Sequence, residues 1–124
     1  MPKRILIIDD ERDIAEVTAA RLTKAGYDAV AAGNYEEAFN SIGEKIPDLI
    51  LLDVMMPDKD GYELCNDIKC KEKCGDIPII LFTARAEQKE RLKANAEFLA
   101  ADDYILKPFE PEQLLAKIRK YIGK

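Results

Sequence analysis

The sequence predicts an α/β domain built on a parallel β-sheet, and three observations carry that expectation. Short apolar runs alternate with segments of helical period five times along the 124 residues. Leu49-Ile50-Leu51-Leu52 is apolar without a break, as suits a strand buried on both faces of a sheet, and Ile5-Leu6-Ile7-Ile8 is its equal. Both runs end on carboxylates, Asp53 in one case and Asp9-Asp10 in the other. In an open parallel sheet, the carboxyl ends of the strands border the crevice where ligands bind.

Each element has its own justification. Residues 3–9 form the first strand. Over 12–25 the apolar residues Ile14, Val17, Leu22 and Ala25 fall at helical spacing as an expected inner stripe, and Gly26 stops the helix. A second short strand covers 27–32. Asn34 suits an N-cap, with Glu37 three residues on as its capping-box partner, opening a helix that runs to about residue 45. Pro47 and Asp48 lead into the third strand, 49–53. The segment 61–71 carries Leu64, Cys65 and Ile68 on one helical face, and a charged loop follows to Gly75. The fourth strand covers 77–82, with Pro78 tolerated near its start. Good helix formers fill 86–99, and 104–106 is a short fifth strand. Pro111 fits the first turn of a last helix lined by Leu114, Leu115, Ile118 and Ile122. Such βα units connect by right-handed crossovers.

Composition narrows the function. The length suits one domain, residues 1–124, with one core. A net charge of −5 discourages binding to nucleic acid or to an anionic membrane. The apolar run after Met1-Pro2-Lys3-Arg4 is cut off at Asp9, too soon for a secretory signal, and no run reaches membrane-spanning length. A soluble, cytoplasmic domain is expected. Three cysteines, an odd number, argue against a disulfide framework. The absence of histidine removes Ser-His and Cys-His catalysis and disfavours zinc. Any metal would be hard and bound by oxygen.

The chemistry gathers at strand ends. Asp9, Asp10 and Asp53 on one sheet edge would repel one another unless a cation neutralised them. Mg²⁺ suits such a set, because it takes one or two carboxylates, keeps several waters and shares phosphate oxygens. The loop Asp9-Asp10-Glu11-Arg12-Asp13 would repel the phosphate that a flavodoxin-type loop holds. A carboxylate can act as a nucleophile toward phosphorus, giving an aspartyl phosphate, provided that a metal and a cation meet the developing charge. Thr83 closes the fourth strand as a hydroxyl donor, and Lys107 closes the fifth as an ammonium.

The chain resembles the receiver domain of two-component response regulators over essentially its whole length. The residues that carry the resemblance are Asp9-Asp10, Asp53 with Met56-Pro57 and Gly61, Thr83-Ala84, and Tyr104 with Lys107-Pro108. The resemblance implies a flavodoxin-like doubly wound (βα)5 sandwich with strand order 2-1-3-4-5. It implies Asp53 as the acceptor of a phosphoryl group from a partner kinase's phosphohistidine. Asp10, Asp53 and the backbone carbonyl of Met55 would bind Mg²⁺, with Asp9 acting partly through water. Lys107 would pair with the phosphoryl group, and Thr83 and the Ala84 N–H would donate hydrogen bonds to it. The Lys107-Pro108 peptide bond is expected to be cis. Thr83 and Tyr104 would form the switch, remodelling a face of the fourth helix, fifth strand and fifth helix where an output domain or target docks. The chain is thus expected to be a phospho-acceptor, with no external substrate of its own.

Departures and alternatives accompany this. Ala100 stands where the family often has Gly, which alters an expected helix cap. By the resemblance, Met55 and Arg85 flank the acceptor at positions tied in that family to dephosphorylation rate, and their bulk would shield an acyl phosphate from water. Cys65 is expected in the core; Cys70 and Cys74, four apart, could bridge, bind adventitious metal or do nothing, and the last is favoured. One alternative is a receiver-like scaffold that takes no phosphate. A haloacid-dehalogenase-type phosphohydrolase would need a second Asp where Met55 stands.

Overall fold

The fold is taken from a computed structural model that describes residues 2–53, 67–70, 75–83, 103–106 and 110–123. Five strands, β1 (Arg4–Ile8), β2 (Asp28–Ala32), β3 (Leu49–Asp53), β4 (Ile79–Thr83) and β5 (Asp103–Leu106), form one parallel sheet in the order β2-β1-β3-β4-β5. The described helices are α1 (Arg12–Lys24), α2 (Tyr35–Glu44) and α3 (Pro111–Ile122), and residues 67–70 are also helical. This is the doubly wound, flavodoxin-like arrangement.

Alternation along each strand divides the core into two layers. Leu6, Ile8, Ile50, Leu52, Ile79 and Leu81 face Ala38 and Ile42 of α2 and Ile68. Ile5, Ile7, Leu49, Leu51, Ile80 and Phe82 face Ala15 and Leu22 of α1 and Leu114 and Ile118 of α3. Every residue of β3 is buried. Each such Leu or Ile contributes about 1.5–3 kcal/mol relative to exposure, which makes the middle strand the most firmly held platform in the sheet.

The helix ends follow from the sequence. Gly26, at φ 104°, closes α1: its N–H donates to the Thr23 carbonyl at 3.0 Å, and that of Tyr27 to Leu22 at 3.0 Å. This is the Schellman closure that a left-handed glycine permits. Asn34 caps α2 by accepting the Glu37 N–H, as expected, but the reciprocal arm differs from a capping box. The Glu37 carboxylate accepts from the Asn34 side-chain amide at 2.8 Å. Pro111 opens α3, as its fixed φ allows, and Glu110 and Gln113 cap it reciprocally. At the far end of α3, the Gly123 carbonyl accepts a 2.8 Å hydrogen bond from the Tyr27 hydroxyl.

One expected face is right only in part. Leu22 is buried and Ala25 packs against the core, but Ile14 and Val17 are 39% and 55% exposed, and Ala15 and Ala19 take the inner positions instead. The 15-19-22 spacing is an equally good helical stripe. Strand limits also shift slightly: β4 begins at Ile79, after Pro78, and takes in Thr83, while β5 takes in Asp103. The expected helix over 86–99, the first part of that over 61–71, the Ala100 cap, Cys65 and Cys74 lie outside the described residues. Among the described residues, no helix is long and apolar enough to cross a membrane.

Candidate acceptor and cation site

Register explains why acids from distant parts of the chain meet. Ile8 pairs with Leu52, so the next residues, Asp9 and Asp53, stand side by side at the carboxyl end of neighbouring strands. Parallel strands lie about 4.8 Å apart, and in-register side chains leave the sheet on the same side. Asp53 in turn pairs with Phe82, one step before Thr83, and Thr83 pairs with Leu106. The strand ends that carry Asp9, Asp53 and Thr83 therefore form a single continuous edge.

The carboxylates of Asp9, Asp10 and Asp53 converge, with ligand oxygens all within 4.8 Å of one another. Asp9 is fully buried and Asp53 is 4% exposed, while Asp10 faces solvent. The backbone holds Asp9 firmly. Its N–H continues the β1–β2 ladder onto the Ala32 carbonyl at 3.0 Å, and its Oδ1 accepts the Glu11 N–H at 3.0 Å. Burying neighbouring carboxylates is costly unless opposite charge compensates them. The donor set is all oxygen, anionic, and open to water on the Asp10 side. That fits a small hard dication that keeps several of its waters, and it fits zinc or a soft metal poorly.

Among the remaining expected residues, Tyr104 lies on β5, half-buried, with its ring against the Leu6–Ile8–Leu81 layer. The Lys117 ammonium lies 6.0 Å from its ring centroid. Thr83 is the last residue of β4. Met55, Ala84, Arg85, Lys107 and Pro108 lie outside the described residues, as do Met56, Pro57 and Gly61. Cys70 is a free, exposed thiol.

Two polar groups were not anticipated from the sequence. Asp103, beside Tyr104, accepts from the Lys117 ammonium at 2.9 Å, the Tyr104 N–H at 2.8 Å and the Tyr121 hydroxyl at 3.2 Å. Partial burial works to raise its pKa, but the Lys117 hydrogen bond, the Tyr104 N–H, the Lys117 charge and the Tyr121 hydroxyl outweigh it. The carboxyl is held below its ordinary value. The second group is Arg12, whose guanidinium bridges to Glu37 at 2.7 Å. The available signal for both was charge complementarity, Asp103 with Lys117 and Arg12 with Glu37. Spacing alone does not select those pairs among 24 acids and 19 bases.

An open parallel sheet with acids gathered at its carboxyl edge defines a ligand-binding α/β domain of the doubly wound class. A family model described as the response regulator receiver domain matches residues 5–119. The chain belongs to that family, the receiver domains of two-component response regulators. It is 44% identical to the phosphate regulon transcriptional regulatory protein PhoB of Pseudomonas aeruginosa, over 98% of this chain and 52% of that protein. The chain spans about half the length of the curated relatives it matches. Among solved structures it is similar to a CheY-like response regulator receiver domain protein from Methanospirillum hungatei. There the TM-score is 0.86 and the identity 31%, over 97% of this chain and 93% of that one. It is also similar to the response regulator TrrA of Thermotoga maritima in complex with Mg²⁺ and BeF, at TM-score 0.82 and 37% identity, over 96% and 98% of the two chains.

Proposed function

We propose that residues 1–124 act as a phospho-acceptor switch in the cytoplasm, in which Asp53 takes a phosphoryl group from the phosphohistidine of a sensor kinase or phosphotransfer protein. The observation that carries this reading is the convergence of Asp9, Asp10 and Asp53 on one strand edge, two of them buried. A carboxylate oxygen of Asp53 attacks phosphorus in line as the P–N bond to the donor imidazole breaks. Asp53 ends the rigid β3 strand, so its nucleophilic oxygen is positioned by a fully buried platform.

Asp10, Asp53 and the backbone carbonyl of Met55 would hold Mg²⁺, with Asp9 acting through water. When bound, the ion supplies positive charge that quiets the carboxylates and meets the phosphoryl oxygens. Lys107 pairs with the same group, and Thr83 and the Ala84 N–H donate hydrogen bonds to it. Movement of Thr83 toward the phosphoryl oxygens opens space for the Tyr104 ring. The populations of two states shift accordingly, and the change reaches an output domain or target protein through the surface around β5 and α3. Met55 and Arg85 shield the acyl phosphate, so its lifetime should fall in Met55→Asn. The similar structure of TrrA, a complex with Mg²⁺ and BeF, supports this reading.

Incubation with acetyl phosphate and Mg²⁺, followed by intact-mass analysis, tests the reading. The parent chain should gain the mass of one phosphoryl group and Asp53→Asn none. A phosphorylated Asp53→Asn chain would overturn the choice of acceptor. A parent that never gains the mass would overturn the switch itself.

A further inference from the structure

The turn that carries Asp9 and Asp10 is three residues long, running from the end of β1 at Ile8 to the start of α1 at Arg12. It is tied on both sides of the next turn along, to the last residue of β2 and to α2. At one end the Asp9 N–H donates to the Ala32 carbonyl. At the other, Arg12 reaches across to Glu37, whose carboxylate also accepts from the Asn34 amide. Between these attachments the Arg12 guanidinium lies over Gly33. A Cβ built there would come within 3.0 Å of Cζ and Nη2 and 3.2 Å of Nε. Gly33 is not in the left-handed region, so no backbone conformation calls for glycine at that position. Its missing side chain makes room for the guanidinium.

We propose that Arg12 is a positioning residue for the acidic site: by clamping the β1–α1 turn to Gly33 and Glu37, it holds the Asp9 and Asp10 carboxylates ready for a divalent cation. The inference rests on the cation reading above and extends it to a residue outside the carboxylate set. Arg12 touches neither cation nor phosphoryl group in this scheme; it acts through the turn. Its charge works the other way, since a guanidinium carried two residues after Asp10 should weaken cation binding by simple repulsion. Positioning and repulsion therefore predict opposite signs for its removal.

Mn²⁺ titrations of the full chain at low ionic strength, followed by the electron paramagnetic resonance of free Mn²⁺, distinguish the two. Arg12→Ala should weaken Mn²⁺ affinity about two- to fivefold, the scale of an exposed ion pair. Gly33→Ala removes no charge and shifts the guanidinium by only a few tenths of an ångström, so it should weaken affinity in the same direction but by less than Arg12→Ala. The double variant should be no weaker than Arg12→Ala, because both changes act through one contact. Tighter or unchanged binding in Arg12→Ala, tighter binding in Gly33→Ala, or a double variant weaker than Arg12→Ala would overturn the proposal. A parent chain that binds no Mn²⁺ would overturn the cation reading along with it.

Discussion

Aspartates stand at both ends of the strands, and the two ends arrange them differently. At the amino ends they stand apart, each beside a donor. Asp48 accepts the Arg4 N–H at 2.8 Å, Asp28 lies 3.5 Å from the Arg4 guanidinium, and Asp103 is ringed by Lys117, Tyr121 and the Tyr104 N–H. At the carboxyl ends Asp9, Asp10 and Asp53 are brought toward one another. The same residue type thus serves stability at one edge and concentrates negative charge at the other. Such a concentration suits a cation, which is the reading proposed above for this edge.

The sharpest way to break this comparison is to exchange Asp for Asn at each end. Asp53→Asn should abolish phosphorylation by acetyl phosphate, while Asp103→Asn should retain it, both read by intact mass. A smaller effect concerns the cation. Adding Mg²⁺ at about ten times its dissociation constant should raise the parent's unfolding free energy by about 1.4 kcal/mol in urea titrations. In Asp10→Asn the gain at the same concentration should shrink, and in Asp103→Asn it should not.

The smallest effect lies at the amino edge and depends on pH. Because the folded-state pKa of Asp103 is depressed, its contribution is present above the ordinary carboxylate range and is lost as pH falls through the lowered value. Lys117→Met should therefore cost about 0.5–1 kcal/mol at neutral pH, discounted for the pair's partial exposure, and the difference from the parent should fade in acid. A cost that persists undiminished in acid would show that Lys117 acts by packing its stem rather than by charge.

Much of this fold could be read from the chain because its signals were local. Unbroken apolar runs marked β1 and β3, Gly26 marked a left-handed stop, and Asn34 marked a cap. The buried face of α1 was read correctly at Leu22 and Ala25 but not at Ile14 and Val17, because Ala is ambivalent. Two stripes of equal period overlap there, and the sheet takes the one through Ala15 and Ala19. The meeting of Asp9 with Asp53 was readable because both end apolar strands. How deeply each is buried was not, since that depends on strand register and on neighbours distant in sequence. Arg12 was missed for a related reason: its partner Glu37 lies 25 residues away, and only the parallel pairing of β1 with β2 brings them together.

The one-rung extension of the β1–β2 ladder onto Asp9 has a thermodynamic consequence. Asp9 has its backbone fixed by the sheet before anything binds, whereas its neighbour Asp10 lies beyond that rung with a solvated side chain. For an arriving ion, the protein's outlay in lost freedom falls mainly on one short side chain, well under the ~2 kcal/mol that a long polar one forfeits. In the cation reading proposed above, ordering the protein is then a minor part of the free energy of uptake at this edge.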